Sequence, residues 1–65
     1  MIVIRSQKSR RRWIYTYDNS IVMQHTVFDN GAQSGVFPSH EFDTLSAVRT
    51  SLRGDDEIIH DDGEL

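Results

Sequence analysis

The stretch RRWIYTYDNSIVMQHTVF, residues 11–28, decides how this chain is read. Both halves alternate between apolar and polar residues with a period of two, the pattern of half-buried strands, and Asp18-Asn19-Ser20 between them is turn chemistry. In the first half Trp13, Tyr15 and Tyr17 share one face, with Arg12, Ile14 and Thr16 on the other. In the second, Ile21, Met23, His25 and Val27 oppose Val22, Gln24, Thr26 and Phe28. A one-residue change of register sends every side chain to the opposite face, so the length of the turn is the decisive quantity. A three-residue loop, Asp18-Asn19-Ser20, sets Tyr17 opposite Ile21, Tyr15 opposite Met23 and Trp13 opposite His25, and gathers the larger apolar area of both strands on one side. That loop is expected, with Asn19 or Ser20 in the left-handed conformation, which Asn tolerates better.

Working outward, IVIRS (2–6) alternates in the same way, and Gln7-Lys8-Ser9-Arg10 reads as the loop of a first hairpin that brings Ile4 near Trp13 and Ile2 near Tyr15. DNGAQSG (29–35) is turn chemistry throughout and ends the meander. After it Phe42, Leu45, Val48 and Leu52 recur at helical spacing. Ser39 is a good N-cap, with Asp43 as its rival; Arg49 and Arg53 suit a last turn, and Gly54 suits a C-cap. A helix at about 40–53 follows. Glu57 to His60 can add a short fourth strand at a sheet edge, before an acidic tail at about 61–65.

The expected fold is α+β in a single small domain: a three-stranded antiparallel meander at about 2–6, 11–17 and 21–28, with one helix on its apolar face. The expected core is Ile2, Ile4, Trp13, Tyr15, Tyr17, Ile21, Met23, Val27, Phe42, Leu45, Val48 and Leu52. The other face, with Val3, Arg5, Arg12, Ile14, Thr16, Val22, Gln24 and Thr26, is left exposed as a candidate interface. At 65 residues without cysteine, the chain lacks the usual staples of very small domains, so its stability is expected to be marginal or shared with a partner. The same lack implies no oxidising compartment, and no apolar run is long enough for a signal peptide or a membrane-spanning helix, so a cytoplasmic setting is expected.

Charge is divided unevenly. Residues 1–17 carry Arg5, Lys8, Arg10, Arg11 and Arg12 with no acid, a charge of +5, whereas residues 18–65 carry two arginines against ten acids, a charge of −8. Asp55, Asp56, Glu57, Asp61, Asp62 and Glu64 put six carboxylates in ten residues. Such a density can engage a basic surface on another protein by charge complementarity. The basic residues can instead contact phosphates, but with the aromatic stripe assigned to the core they have no exposed platform for bases, and the attraction is then salt-sensitive and independent of sequence.

Catalytic signatures are weak. His25, His40 and His60 lie on three separate elements with no second histidine at a ligand spacing, and His60-Asp61-Asp62 is the only local cluster of hard-metal donors. Ser39, His40 and Glu41 have the residue types of a hydrolase triad, yet adjacent residues at a helix start point apart. No enzyme activity, metal or cofactor is expected. The leading expectation is a small non-enzymatic inhibitor or adaptor that occupies a basic, nucleic-acid-handling surface of a larger protein. Phages and mobile elements encode proteins of this kind, anti-CRISPR proteins among them. A nucleic-acid-binding regulator using Arg5, Lys8, Arg10, Arg11 and Arg12 is the first alternative, and a homodimeric structural module the second.

Overall fold

A computed structural model describes residues 1–64. Five strands, β1 (Ile2–Ser6), β2 (Arg12–Asp18), β3 (Ile21–Val27), β4 (Phe37–Pro38) and β5 (Asp56–Asp61), form one sheet in the order β4-β3-β2-β1-β5, and one short helix, α1 (Leu45–Thr50), packs against it. Every neighbouring pair is antiparallel. The meander of β1, β2 and β3 follows the sequence pattern, and β5 completes it at the β1 edge over a longer stretch than 57–60. The two-residue β4, which pairs Met23 with Pro38 and Gln24 with Phe37, left no period in the sequence.

The first hairpin has the expected register, Ile2 opposite Tyr15 and Ile4 opposite Trp13. The second does not. Its loop is two residues, Asn19 and Ser20, both left-handed at φ 49° and 64°. Asp18 therefore faces Ile21, Tyr17 faces Val22, Tyr15 faces Gln24 and Trp13 faces Thr26. Two consecutive left-handed residues make the primed turn whose twist matches that of the strands it joins, and this local geometry prevails over the larger apolar area of the odd-numbered face. Thus Val22, at 1% exposure, turns to the helix, while Ile21, at 46%, turns away. Met23 also leaves the expected core, and Gln24 and Thr26 move to the helix side with Val22.

The core that results is Ile2, Ile4, Tyr15, Val22, Leu45 and Val48, with Trp13, Phe42 and Ile58 packed at its margin. Phe42 meets Tyr15 edge-on, ring centroids 5.6 Å apart, a favoured aromatic geometry. Val27 is buried as well, but apart from this cluster, where it bridges to Gln33. Tyr17 and Leu52, both expected inside, are exposed.

Helix α1 is about half the expected length. Thr44 is its N-cap, its Oγ1 accepting from the Ala47 N–H at 3.1 Å. The Ser39 hydroxyl instead accepts from the N–H groups of Glu41 and Phe42, and the Ser39 N–H donates to the Val22 carbonyl at 2.7 Å. Tied to the sheet in this way, residues 39–43 cannot wind into a helix. At the other end Ser51 caps α1, and residues 51–55 turn back to deliver β5 to β1, so that Arg53 and Gly54 lie beyond the helix. Among the described residues, no helix is long and apolar enough to cross a membrane.

Candidate binding surfaces

The acids after Gly54 are built into a sheet edge. β5 pairs with β1 through Arg5–Glu57, Ile4–Ile58, Val3–His60 and Ile2–Asp61, and Ile59 is the extra residue of a bulge. The bulge sends Ile58 to the core margin and leaves Ile59 exposed at 42%. It also puts Asp61 on the helix side, where the Arg49 guanidinium donates to both its oxygens at 2.6 and 2.8 Å. This fork holds the Asp61 carboxyl well below the usual carboxylate range, helped by the Gly63 N–H. Glu57 accepts from Arg5 at 2.5 Å and Gln7 at 2.9 Å, and the two bonds, Arg5 first, lower its pKa. The Met1 ammonium donates to Asp62 at 2.7 Å and to Glu64 at 3.2 Å. That contact lowers the pKa of Asp62; on the ammonium, partial burial pulls the pKa down, but the two carboxylates outweigh it and raise it.

Four of the six predicted acidic site residues thus have a cation from their own chain. The Asp55 carboxylate accepts from the Ser6 hydroxyl at 3.4 Å, and neither Asp55 nor Asp56 has an ion pair among the described residues. The N-terminal ammonium and Arg49 clamp this edge, and neither reads as a site residue in the sequence, where Arg49 is assigned only to a last helical turn. Their pairing depends on contacts 12 to 63 residues apart, which no local spacing announces.

At the opposite end the β1–β2 turn carries the predicted basic residues. Arg10 is left-handed at φ 60° and its N–H donates to the Ser6 carbonyl. Lys8, Arg10, Arg11 and Arg12 have no ion pair among the described residues, in contrast to Arg5. Arg11 stacks over the Phe28 ring at 4.9 Å. Arg5 and Arg12 stand directly opposite one another in the ladder, a like-charge placement that destabilises a sheet. They line an open depression with Gln7, Arg10 and Phe28. Phe28 was legible only as the last residue of a strand, and its contact with Arg11 follows from the fold.

The three histidines stay apart, and among the described residues no three His, Asp or Glu side chains converge as metal ligands. His25 Nε2 shares a 3.0 Å hydrogen bond with Gln33 Oε1, and its Nδ1 is buried without a partner. The Ser39 hydroxyl accepts from the N–H groups of Glu41 and Phe42, and no hydrogen bond joins it to His40 among the described residues.

The helix covers one face of the sheet, packing over β1 and β2. No described helix lies on the other face, which presents Val3, Ile14, Thr16 and Met23 in its middle, with Ile21 beside Asp18. Arg5 and Arg12 lie at one end of this face and Asp18 at the other. Comparison with protein-family models, with curated proteins and with solved structures found no match to this chain.

Proposed function

We propose that the chain is a small non-enzymatic binding protein that acts by occupying a basic, nucleic-acid-handling surface of a larger protein, as inhibitors encoded by phages and mobile elements do, anti-CRISPR proteins among them. A cytoplasmic setting goes with that reading. The observation that carries it is the edge strand: Asp55, Asp56, Glu57 and Asp61 belong to or adjoin an ordered β5, so a partner meets carboxylates that are already positioned. Little ordering entropy is then lost on docking, compared with a free acidic tail. Asp55 and Asp56, free of ion pairs among the described residues, are the first contacts. Glu57, Asp61, Asp62 and Glu64 follow by exchanging or sharing their own cations.

The test is capture of a basic partner by the immobilised chain after nuclease treatment, with elution by salt. The Asp55→Asn, Asp56→Asn double variant, which breaks no ion pair among the described residues, is expected to lose most capture. Retention equal to that of the parent chain overturns the reading.

A second reading is favoured by one observation, the uncompensated cations of the β1–β2 turn. Lys8, Arg10 and Arg11 would contact successive phosphates of a nucleic acid. A gel shift at low salt that disappears at high salt, and disappears with Lys8→Ala, Arg10→Ala, Arg11→Ala, supports it; no shift at low salt removes it.

A further inference from the structure

We infer that the face of the sheet opposite the helix is the interface of a homodimer, in which a two-fold axis stacks this face on the same face of a second copy. The axis runs across the strands, parallel to the two sheets and midway between them, and passes over the middle of β2. The inference is independent of the acidic edge and of the turn cations Lys8, Arg10 and Arg11.

Three observations carry it. The buried apolar set is small, seven side chains among the described residues, and the chain has neither a disulfide nor a group of described side chains placed to hold a metal. Domains of this size that lack such staples gain stability by association. The sheet edges, in turn, are poor docking sites. β4 is two residues long and contains Pro38, while β5 is bulged and acidic, and both devices discourage the addition of a strand. The remaining surface of suitable extent is the open face, where Ile21 and Ile59 are 46% and 42% exposed.

That face is self-complementary, and this selects a second copy as its occupant. β2 is the middle strand of five, and the axis crosses it at its midpoint, Tyr15. The rotation reverses the strand direction, so each strand lies antiparallel over its own counterpart, β2 over β2 at the centre with β1 and β3 to either side. The outward residues of β2 are Arg12, Ile14, Thr16 and Asp18. Arg12 and Asp18 lie three residues to either side of Tyr15, about 10 Å each way along the strand. Each Arg12 is thereby set over the Asp18 of the other copy, and neither residue has an ion pair within its own chain among the described residues. The same rotation lays Ile14 over Thr16 on β2, and Met23 over His25 on β3. The centre of the contact therefore sets Ile14 and Met23 against Thr16 and His25, and its two ends are oppositely charged. Aligned face-to-face packing of two sheets places them about 10 Å apart, a gap that an arginine side chain can cross. The interface is isologous, as expected for a two-fold dimer.

Charge reversal tests the arrangement. Arg12→Asp relieves the like-charge placement beside Arg5 within one copy, so the monomer remains folded, but it sets the introduced carboxylate against that of Asp18 across the axis twice. Asp18→Arg sets arginine against arginine in the same way. Each single variant is expected to dimerise about tenfold more weakly than the parent, and the Arg12→Asp, Asp18→Arg double variant is expected to recover, since the pair is restored with its sense exchanged. Light scattering reads the mass, expected at twice the 7.5 kDa of one chain, and a melting temperature that rises with protein concentration reports the same equilibrium. Ile14→Glu, at the centre of the face, gives a second route to a folded monomer, with circular dichroism as the check on folding. A mass of 7.5 kDa at the highest attainable concentration overturns the inference. So does a single reversal whose dimer is as tight as the parent's, or a double variant no stronger than the singles.

Discussion

At the residue scale, Asn19 and Ser20 have an effect out of proportion to their size. Both have positive φ, a conformation that costs a non-glycine residue roughly 1–2 kcal/mol, and Ser20 lacks the local amide that eases it for Asn. Ser20→Gly converts the turn to Asn-Gly, the strongest short hairpin signal, and is expected to stabilise the protein by about 0.5–1 kcal/mol in urea unfolding. The register this turn sets has a sharper test. Val22→Ala is expected to cost about 2 kcal/mol as a cavity in the helix-side core. Ile21→Ala, at the neighbouring exposed position, is expected to cost under about 1 kcal/mol in the monomer. The opposite ranking would restore the three-residue loop. Tyr15 adds a spectroscopic check. Burial first, and then the nearby Glu41 and Asp56, push its phenol up to about 12. The unfolded chain then ionises first as pH rises above the ordinary tyrosine value of about 10. Stability contributed by the neutral phenol is present below that pH and is lost as pH climbs towards 12. An ultraviolet titration that shows both tyrosines ionising near their ordinary value in folded protein would contradict the burial.

At the scale of elements, the helix and β5 illustrate opposite failures of local reading. The apolar stripe Phe42, Leu45, Val48, Leu52 has genuine helical spacing, yet only Leu45 and Val48 are fully buried in α1. Phe42 packs on Tyr15 from a bend, and Leu52 is exposed. The hydrogen bond from the Ser39 N–H to Val22 holds the preceding segment against the sheet, so Thr44 takes the cap. Thr44→Ala is expected to cost about 1 kcal/mol, and the loss should exceed that of Asp43→Ala, the rival cap read from the sequence, in the same unfolding assay. β5 is the reverse case. Its acidic sequence reads as a tail with a short strand, but pairing with β1 and clamping by Arg5, Arg49 and the Met1 ammonium make it an ordered edge.

At the scale of the whole molecule, the ion pairs along that edge predict an acid response. Glu57, Asp61 and Asp62 all have lowered pKa values in the folded protein, through Arg5, Arg49 and the N-terminal ammonium in turn. The unfolded chain therefore binds protons first as pH falls. Stability from these groups is present above the ordinary carboxylate pKa of about 4 and is lost progressively below it. Asp61→Asn, which removes the bidentate partner of Arg49, is expected to make the melting temperature less steeply dependent on pH between about 4 and 2. An unchanged slope would show that the Arg49 contact is absent in solution. The molecule as a whole is a charge dipole with its acidic pole largely compensated from within and its basic turn uncompensated, so association through the turn is the more salt-sensitive of the two.

Much was legible in the residues alone. The period of two in residues 2–6, 11–17 and 21–28 marked the three strands to within one residue at each end, and the spacing of Ile2, Ile4, Trp13 and Tyr15 determined the register of the first hairpin, because those signals are local. The clustering of cations near residue 10 and of acids after residue 54 was equally plain. The tertiary structure alone decided the second register, where turn twist outweighed apolar area, and the truncation of the helix, where the bond from the Ser39 N–H to Val22 ties the preceding segment to the sheet. It also decided which charges are spent within the chain, since Arg49 and the Met1 ammonium reach their carboxylates only after the two ends of the sequence meet across β1 and β5.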